Sequence, residues 1–134
     1  MRGQTAFEYL VIVIIILGFL VPVWLYMTQV QNESADQLSL TYAKNAVKKI
    51  AESADLVYSQ RLGAKVKVGI YIPRGVENIN ITGKTVIMRI YSLSGTSDVF
   101  ETSIADLNGT LSTSPGFRWV LIEAMGDYVQ IGTL

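Results

Sequence analysis

The sequence predicts an α+β chain: one long N-terminal hydrophobic helix that extends into a small antiparallel β-sheet or sandwich head. Three observations predict it. Residues 9–32 carry no charge, and residues 9–27 among them read YLVIVIIILGFLVPVWLYM. Apolar residues then recur at spacings of three and four as far as residue 57, the repeat of an amphipathic helix. From Ala64 onward the repeat shortens to two, and turn residues separate short runs, the pattern of successive strands.

The uncharged segment comes first. Roughly 20 apolar residues in a helix rise about 30 Å, the thickness of a bilayer's hydrocarbon core. A helix from a soluble core would show a polar stripe, and this segment has none. Trp24 and Tyr26 lie toward its far end, where amphipathic rings favour the membrane interface. The expectation is a single transmembrane helix with Arg2 on the cytoplasmic side and the bulk of the chain outside. The apolar stretch exceeds a typical secretory signal core, and no small-x-small cleavage site with a clear break follows it. Inside it, Pro22 has no N–H to donate to the carbonyl of Gly18, and its ring crowds that carbonyl. The pair marks a kink or weak point near mid-span.

The helical repeat continues past the span. Leu38, Tyr42, Ala46, Ile50, Ala54 and Val57 line one face, while Lys44, Lys48, Glu52 and Asp55 occupy others. Ala43, Ala46, Ala51 and Ala54 allow close approach of a packing partner, and Gly63 is a stop signal. A helix unbroken over residues 4–60 would be about 85 Å long; Asn32-Glu33-Ser34 is the place where it would break. The expected organisation is a short leader at residues 1–3, a helix at 4–62 and a β-rich head at 63–134.

In the head, KVKVGIYIP alternates, with Val66, Val68, Ile70 and Ile72 on one side and Lys65, Lys67 and Tyr71 on the other. NINITGKTVIMRIYSL holds two strands about a Thr82-Gly83-Lys84 turn. DVFETSIADL, FRWVLIEAM and DYVQIGTL supply further strands, five or six in all. Asn108-Gly109, Ser114-Pro115-Gly116 and Gly126-Asp127 are the expected punctuation. Trp119 is expected in the core, and Tyr71 and Tyr91 on the surface.

Composition narrows the function. The 134 residues hold 11 basic and 11 acidic side chains, with no basic block, so no nucleic-acid partner is expected. Cysteine and histidine are both absent, which removes thiol chemistry, disulfides, the commonest zinc ligand and the commonest general base. No glycine-rich phosphate loop is present. Asp98, Glu101 and Asp106 are near one another in sequence, but their spacing is not that of a calcium-binding EF-hand loop, and they read as solvated charges. Neither catalysis nor a metal or cofactor is expected.

One acid remains to be explained. A carboxylate at the bilayer centre costs on the order of 2.5–3.5 kcal/mol by insertion scales and less near the edge. Glu8 sits at that edge, where a helix N-terminus also favours an acid. The stretch Arg2-Gly3 followed by Gln4-Thr5-Ala6-Phe7-Glu8-Tyr9-Leu10 resembles the amino terminus of archaeal type IV pilin precursors, in particular the class III signal peptide group that includes the adhesion pilins. The resemblance covers about ten residues, backed by the apolar run. It implies processing at Arg2, Gly3 and Gln4, with a prepilin peptidase cutting between Gly3 and Gln4, so that Glu8 becomes the fifth residue of the mature chain. It implies subunit assembly through Gln4, Glu8, Tyr9, Leu10, Ile14, Gly18 and Pro22, with further copies of the chain and the pilus assembly machinery as partners. The chain would be a membrane precursor that later enters an extracellular adhesive filament. The alternatives are a minor pilin and a membrane-anchored β ectodomain acting as a binding module.

Three stretches match the N-x-Ser/Thr acceptor of N-glycosylation: Asn32-Glu33-Ser34, Asn80-Ile81-Thr82 and Asn108-Gly109-Thr110. All three fall in the part expected outside. Asn108-Gly109 serves equally well as a bare turn.

Overall fold

The structure, a computed structural model, describes residues 2–134. Met1 and the side chain of Arg2, which belong to the expected leader, lie outside the described residues. Helix α1 runs over Arg2–Ser59 without interruption, in keeping with the single long helix expected over 4–62, through Pro22 and through the Asn32-Glu33-Ser34 stretch named as the place where it would break. Seven strands follow: β1 Lys65–Ile72, β2 Val76–Thr82, β3 Thr85–Ser92, β4 Gly95–Thr102, β5 Asp106–Gly109, β6 Gly116–Ala124 and β7 Tyr128–Thr133. The chain divides into two units, Met1–Ala35 and Asp36–Leu134.

The first unit is helix alone. Every side chain over residues 3–35 is exposed. Polar groups beyond the apolar run bond within the helix: the Thr28 hydroxyl donates to the Trp24 carbonyl at 3.0 Å, and the Gln29 amide donates to Glu33 Oε1 at 3.1 Å.

The second unit holds the core. Along α1, Ala43, Ala46, Val47, Ile50, Ala51, Ala54 and Val57 are buried. The expected stripe is thus corrected at its start: Leu38 is 54% and Tyr42 40% exposed, and burial begins at Ala43. The alanines let the helix backbone approach the sheets, as a face of small side chains permits, and Val47, Ile50 and Val57 supply the volume. The chain leaves the helix through Arg61, a non-glycine residue at φ 75°, before Gly63 at φ 87°.

Two sheets meet this helix face. One has the order β1-β6-β7-β5 and the other β2-β3-β4. Their inner residues, including Ile70, Ile72, Val86, Met88, Ile90, Val120, Ile122, Val129 and Ile131, join the helix stripe in one core. Strand β1 alternates as expected, and the β2–β3 hairpin turns between Thr82 and Thr85. Three expectations fail. The sheets are not wholly antiparallel, because β5 runs parallel to β7. DVFETSIADL is not one strand; it is divided between β4 and β5 by residues 103–105. Asn108-Gly109 is not a turn but the end of β5, paired with Gln130 and Ile131.

The division at residues 103–105 has a cause far away in sequence. Asp55 on α1 accepts a hydrogen bond from the Ser103 hydroxyl and another from the Ile104 backbone N–H, the latter at 2.9 Å. Ser103 N–H donates to the Lys84 carbonyl at 2.7 Å, and Leu107 N–H donates to the Gly83 carbonyl at 2.6 Å. The segment is thereby held between the helix and the β2–β3 turn instead of continuing the β4 ladder. Removing Asp55 strands two donors, which costs about 1–3 kcal/mol. Asp55→Ala is therefore expected to lower the unfolding free energy by that amount in urea titrations of the detergent-solubilised chain. Lys48→Ala, which loses only an exposed pair with Glu52 at 3.7 Å, should change it by less than about 0.5 kcal/mol.

Candidate functional site

The residues singled out for assembly all lie on the first half of α1, which contains a segment long and apolar enough to cross a membrane. Gln4 and Glu8 are one turn apart, and residues four apart share a helix face. Leu10, Ile14, Gly18 and Pro22 follow one another at intervals of four, so they form a single ridge of the kind that seats in the groove of a neighbouring helix. Tyr9 lies off that ridge. The ridge has a notch at Gly18: a Cβ built there would meet nothing within 4 Å. The missing Pro22 N–H withholds the usual helical donor from the Gly18 carbonyl. A small residue with an available carbonyl is a place where another helix backbone can come close. Among the charged residues, Glu8 is the one nearest to the apolar run.

The head presents two outer faces. On the first, β1 and β6 set Tyr71 opposite Phe117, Gly69 opposite Trp119 and Lys65 opposite Glu123. Trp119, expected in the core, is instead 47% exposed, and Phe117 is 59% exposed. The reason is parity: Val120 and Ile122 take the inner positions, so Phe117 and Trp119 must face out. Their rings meet edge to face at 5.1 Å, the Phe117 ring lies across Gly69, and Lys67 Nζ stands 4.9 Å from the Trp119 ring centre. Tyr42 of α1 packs on Tyr71 at 5.0 Å. A Lys65–Glu123 ion pair at 2.8 Å closes one end of this face. The aromatic pair was readable from the alternation in FRWVLIEAM.

The second outer face carries Asn78, Asn80 and Thr82 of β2, Ile87 and Arg89 of β3, and Asp98 and Phe100 of β4. Arg89 forms a two-pronged bond with Asp98, at 2.7 and 2.9 Å. That bond holds the Asp98 carboxyl below its ordinary value and raises the Arg89 guanidinium. Asp98 is therefore committed to Arg89. Among the described residues no group of three carboxylates is placed to hold a metal ion, and Asp98, Glu101 and Asp106 are not gathered together. The surface recess lined by Leu40, Thr41, Lys44, Asp98, Val99 and Phe100 has one acid and one lysine, and no paired nucleophile and base.

The three acceptor asparagines lie in different settings. Asn32 is in the helix, Asn80 is on β2 and Asn108 is on β5, all exposed. No family model, no curated protein and no solved structure matches the chain at a significant level.

The Arg89–Asp98 pair yields a pH expectation. A folded-state pKa below the unfolded one means that the pair's contribution is complete above the ordinary Asp value of 3.8 and is lost as pH falls through the lower folded value. Both groups are exposed, so the contribution to stability is small. In an NMR titration Asp98 should show a midpoint below 3.8, and Arg89→Gln should move it up toward that ordinary value. An unchanged midpoint would remove the pair as the cause.

Proposed function

We propose that the chain is a structural subunit of a type IV pilus-like cell-surface filament, inserted in the membrane as a precursor and polymerising through the first half of α1. The observation that carries this reading is the contrast along one helix. From Ala43 one face of the helix is covered by its own head, whereas residues 9–27 are apolar on every side and exposed on every side. That segment needs an environment, and lipid first and then copies of itself supply one.

Glu8 supplies the specificity. Cleavage between Gly3 and Gln4 would leave a free α-amino group on Gln4. Among packed helices, the Glu8 carboxylate of one subunit would meet the Gln4 amine of another. In surroundings of low dielectric an unpaired charge is costly and a matched pair is attractive. The pair favours the one register in which acid and amine coincide. The ridge from Leu10 to Pro22, with its notch at Gly18, gives the neighbouring helix a place to seat. The β head then forms the outer coat, where the exposed Tyr71, Phe117 and Trp119 are available for adhesion. A solitary membrane anchor would use the apolar run and tolerate an acid at its lip, but would give Glu8 no partner.

Glu8→Ala and Glu8→Gln test this in the native host. Both variants should remain in the membrane fraction and fail to enter shed surface fibres, while fibre subunits of the wild-type chain should begin at Gln4 by N-terminal sequencing. Normal fibre yield in both variants would remove the acid from the mechanism. A wild-type chain that is neither cut nor found in fibres would favour the anchored binding module.

A further inference from the structure

We propose that Asn80 is an N-linked glycosylation site, and that of the three N-x-Ser/Thr stretches it is the one whose local fold suits the reaction. The inference rests on the reading above in one respect, that the head lies outside the cell.

The acceptor pattern has a geometric content. A hydroxyl at the third position that donates to the asparagine Oδ1 draws electron density from the carboxamide and makes its Nδ2 protons more acidic, so a fold that brings the two together favours loss of the proton. In a strand, residues i and i+2 share a face; in a helix they are turned about 200° apart and point to opposite sides. Asn32 and Ser34 are both within α1, so their side chains diverge. Asn108 and Thr110 are both exposed, but Gly109 between them takes φ 148° at the end of β5. Gly109 is also pressed against the Ile131 carbonyl oxygen, which a Cβ would overlap. The segment is therefore fixed to β7 by its backbone. Among the described residues no hydrogen bond joins Asn108 to Thr110, or Asn32 to Ser34.

Asn80-Ile81-Thr82 differs on each point. It lies on β2, an edge strand of its sheet, immediately before the turn into β3. Asn80 and Thr82 are both exposed, with Ile81 turned toward the interior between them. The Thr82 hydroxyl donates to Asn80 Oδ1 at 2.9 Å, the contact that makes the Nδ2 protons more acidic. The Oδ1 atom is thereby engaged, and Nδ2 has no acceptor among the described residues. Beside it, Asn78 and the Arg89–Asp98 pair form a polar surface able to hydrogen-bond the hydroxyls of a first sugar.

The chemistry is a displacement at the anomeric carbon of a glycosyl donor activated by a phosphate or pyrophosphate leaving group. The C–N bond to Nδ2 forms as the C–O bond to the leaving group breaks. Nδ2 gives up one proton to a base of the transferase, and the phosphate departs with the electron pair.

Intact-mass and glycopeptide mass spectrometry on chain purified from its host tests the site. The wild-type chain should carry a mass increment on the peptide containing Asn80. Asn80→Gln and Thr82→Val should abolish it, and Thr82→Ser, Asn32→Gln and Asn108→Gln should retain it. The bare polypeptide mass, or an increment on Asn32 or Asn108, would overturn the assignment. The same sample separates the two proposals. Unmodified chain recovered in fibres contradicts the glycan site alone, and modified chain recovered uncut and unpolymerised contradicts the filament alone.

Discussion

An apolar surface left exposed among the described residues is the constraint on which the rest depends. Each large apolar side chain left in water forgoes roughly 1.5–3 kcal/mol of burial. Over residues 9–27 this amounts to tens of kcal/mol, well above the 5–15 kcal/mol that separates typical folded and unfolded states. Lipid or a protein neighbour would recover that free energy for this half of α1. Lipid meets the need, but lipid tails are as apolar as leucine, so transfer from lipid to a neighbouring helix gains nothing from the hydrophobic effect. What decides between lipid and a partner must be close packing and charge. The sequence supplies one candidate for each: the notch at Gly18 beside Pro22, and the carboxylate of Glu8.

The head solves the opposite problem. Its stretch of α1 has alanine at positions 43, 46, 51 and 54, and these small side chains let two sheets close over one helix face. The polar clasp from Asp55 to residues 103 and 104 then fixes the crossing between the sheets. Polar outer faces and an exposed aromatic pair are left for whatever the head meets. One helix therefore has two parts: a stretch whose inner face is buried in the core of its own head, and an apolar stretch left exposed.

Much of this was legible locally. The apolar run, the change of period at Ala64, the alternation in β1 and the β2–β3 turn all depend on neighbours in sequence, and all stand in the structure. Two of the misread features depend on distant residues, and the third, Trp119, on a local alternation that was passed over. The division of DVFETSIADL is imposed by Asp55, 49 positions away. The Asn108-Gly109 dipeptide has turn chemistry, but pairing with β7 overrides it. Trp119 was assigned by size, whereas the alternation set by Val120 and Ile122 turns it outward. At the candidate site, Glu8 and the Gly18–Pro22 pair were readable from the sequence because a helix maps spacing onto position directly. That Asn80 differs from Asn32 and Asn108 was not, because the acceptor pattern is silent about which secondary structure contains it.

The central claim is that residues 9–27 end in contact with other copies of this chain. Electron cryomicroscopy of fibres sheared from the cell surface tests it most directly. The account predicts a core of packed α1 helices, with Glu8 of one subunit beside the amino group of Gln4 of another and the β heads outside. Fibres that lack this chain, together with intact monomers whose residues 9–27 remain in lipid, would contradict it.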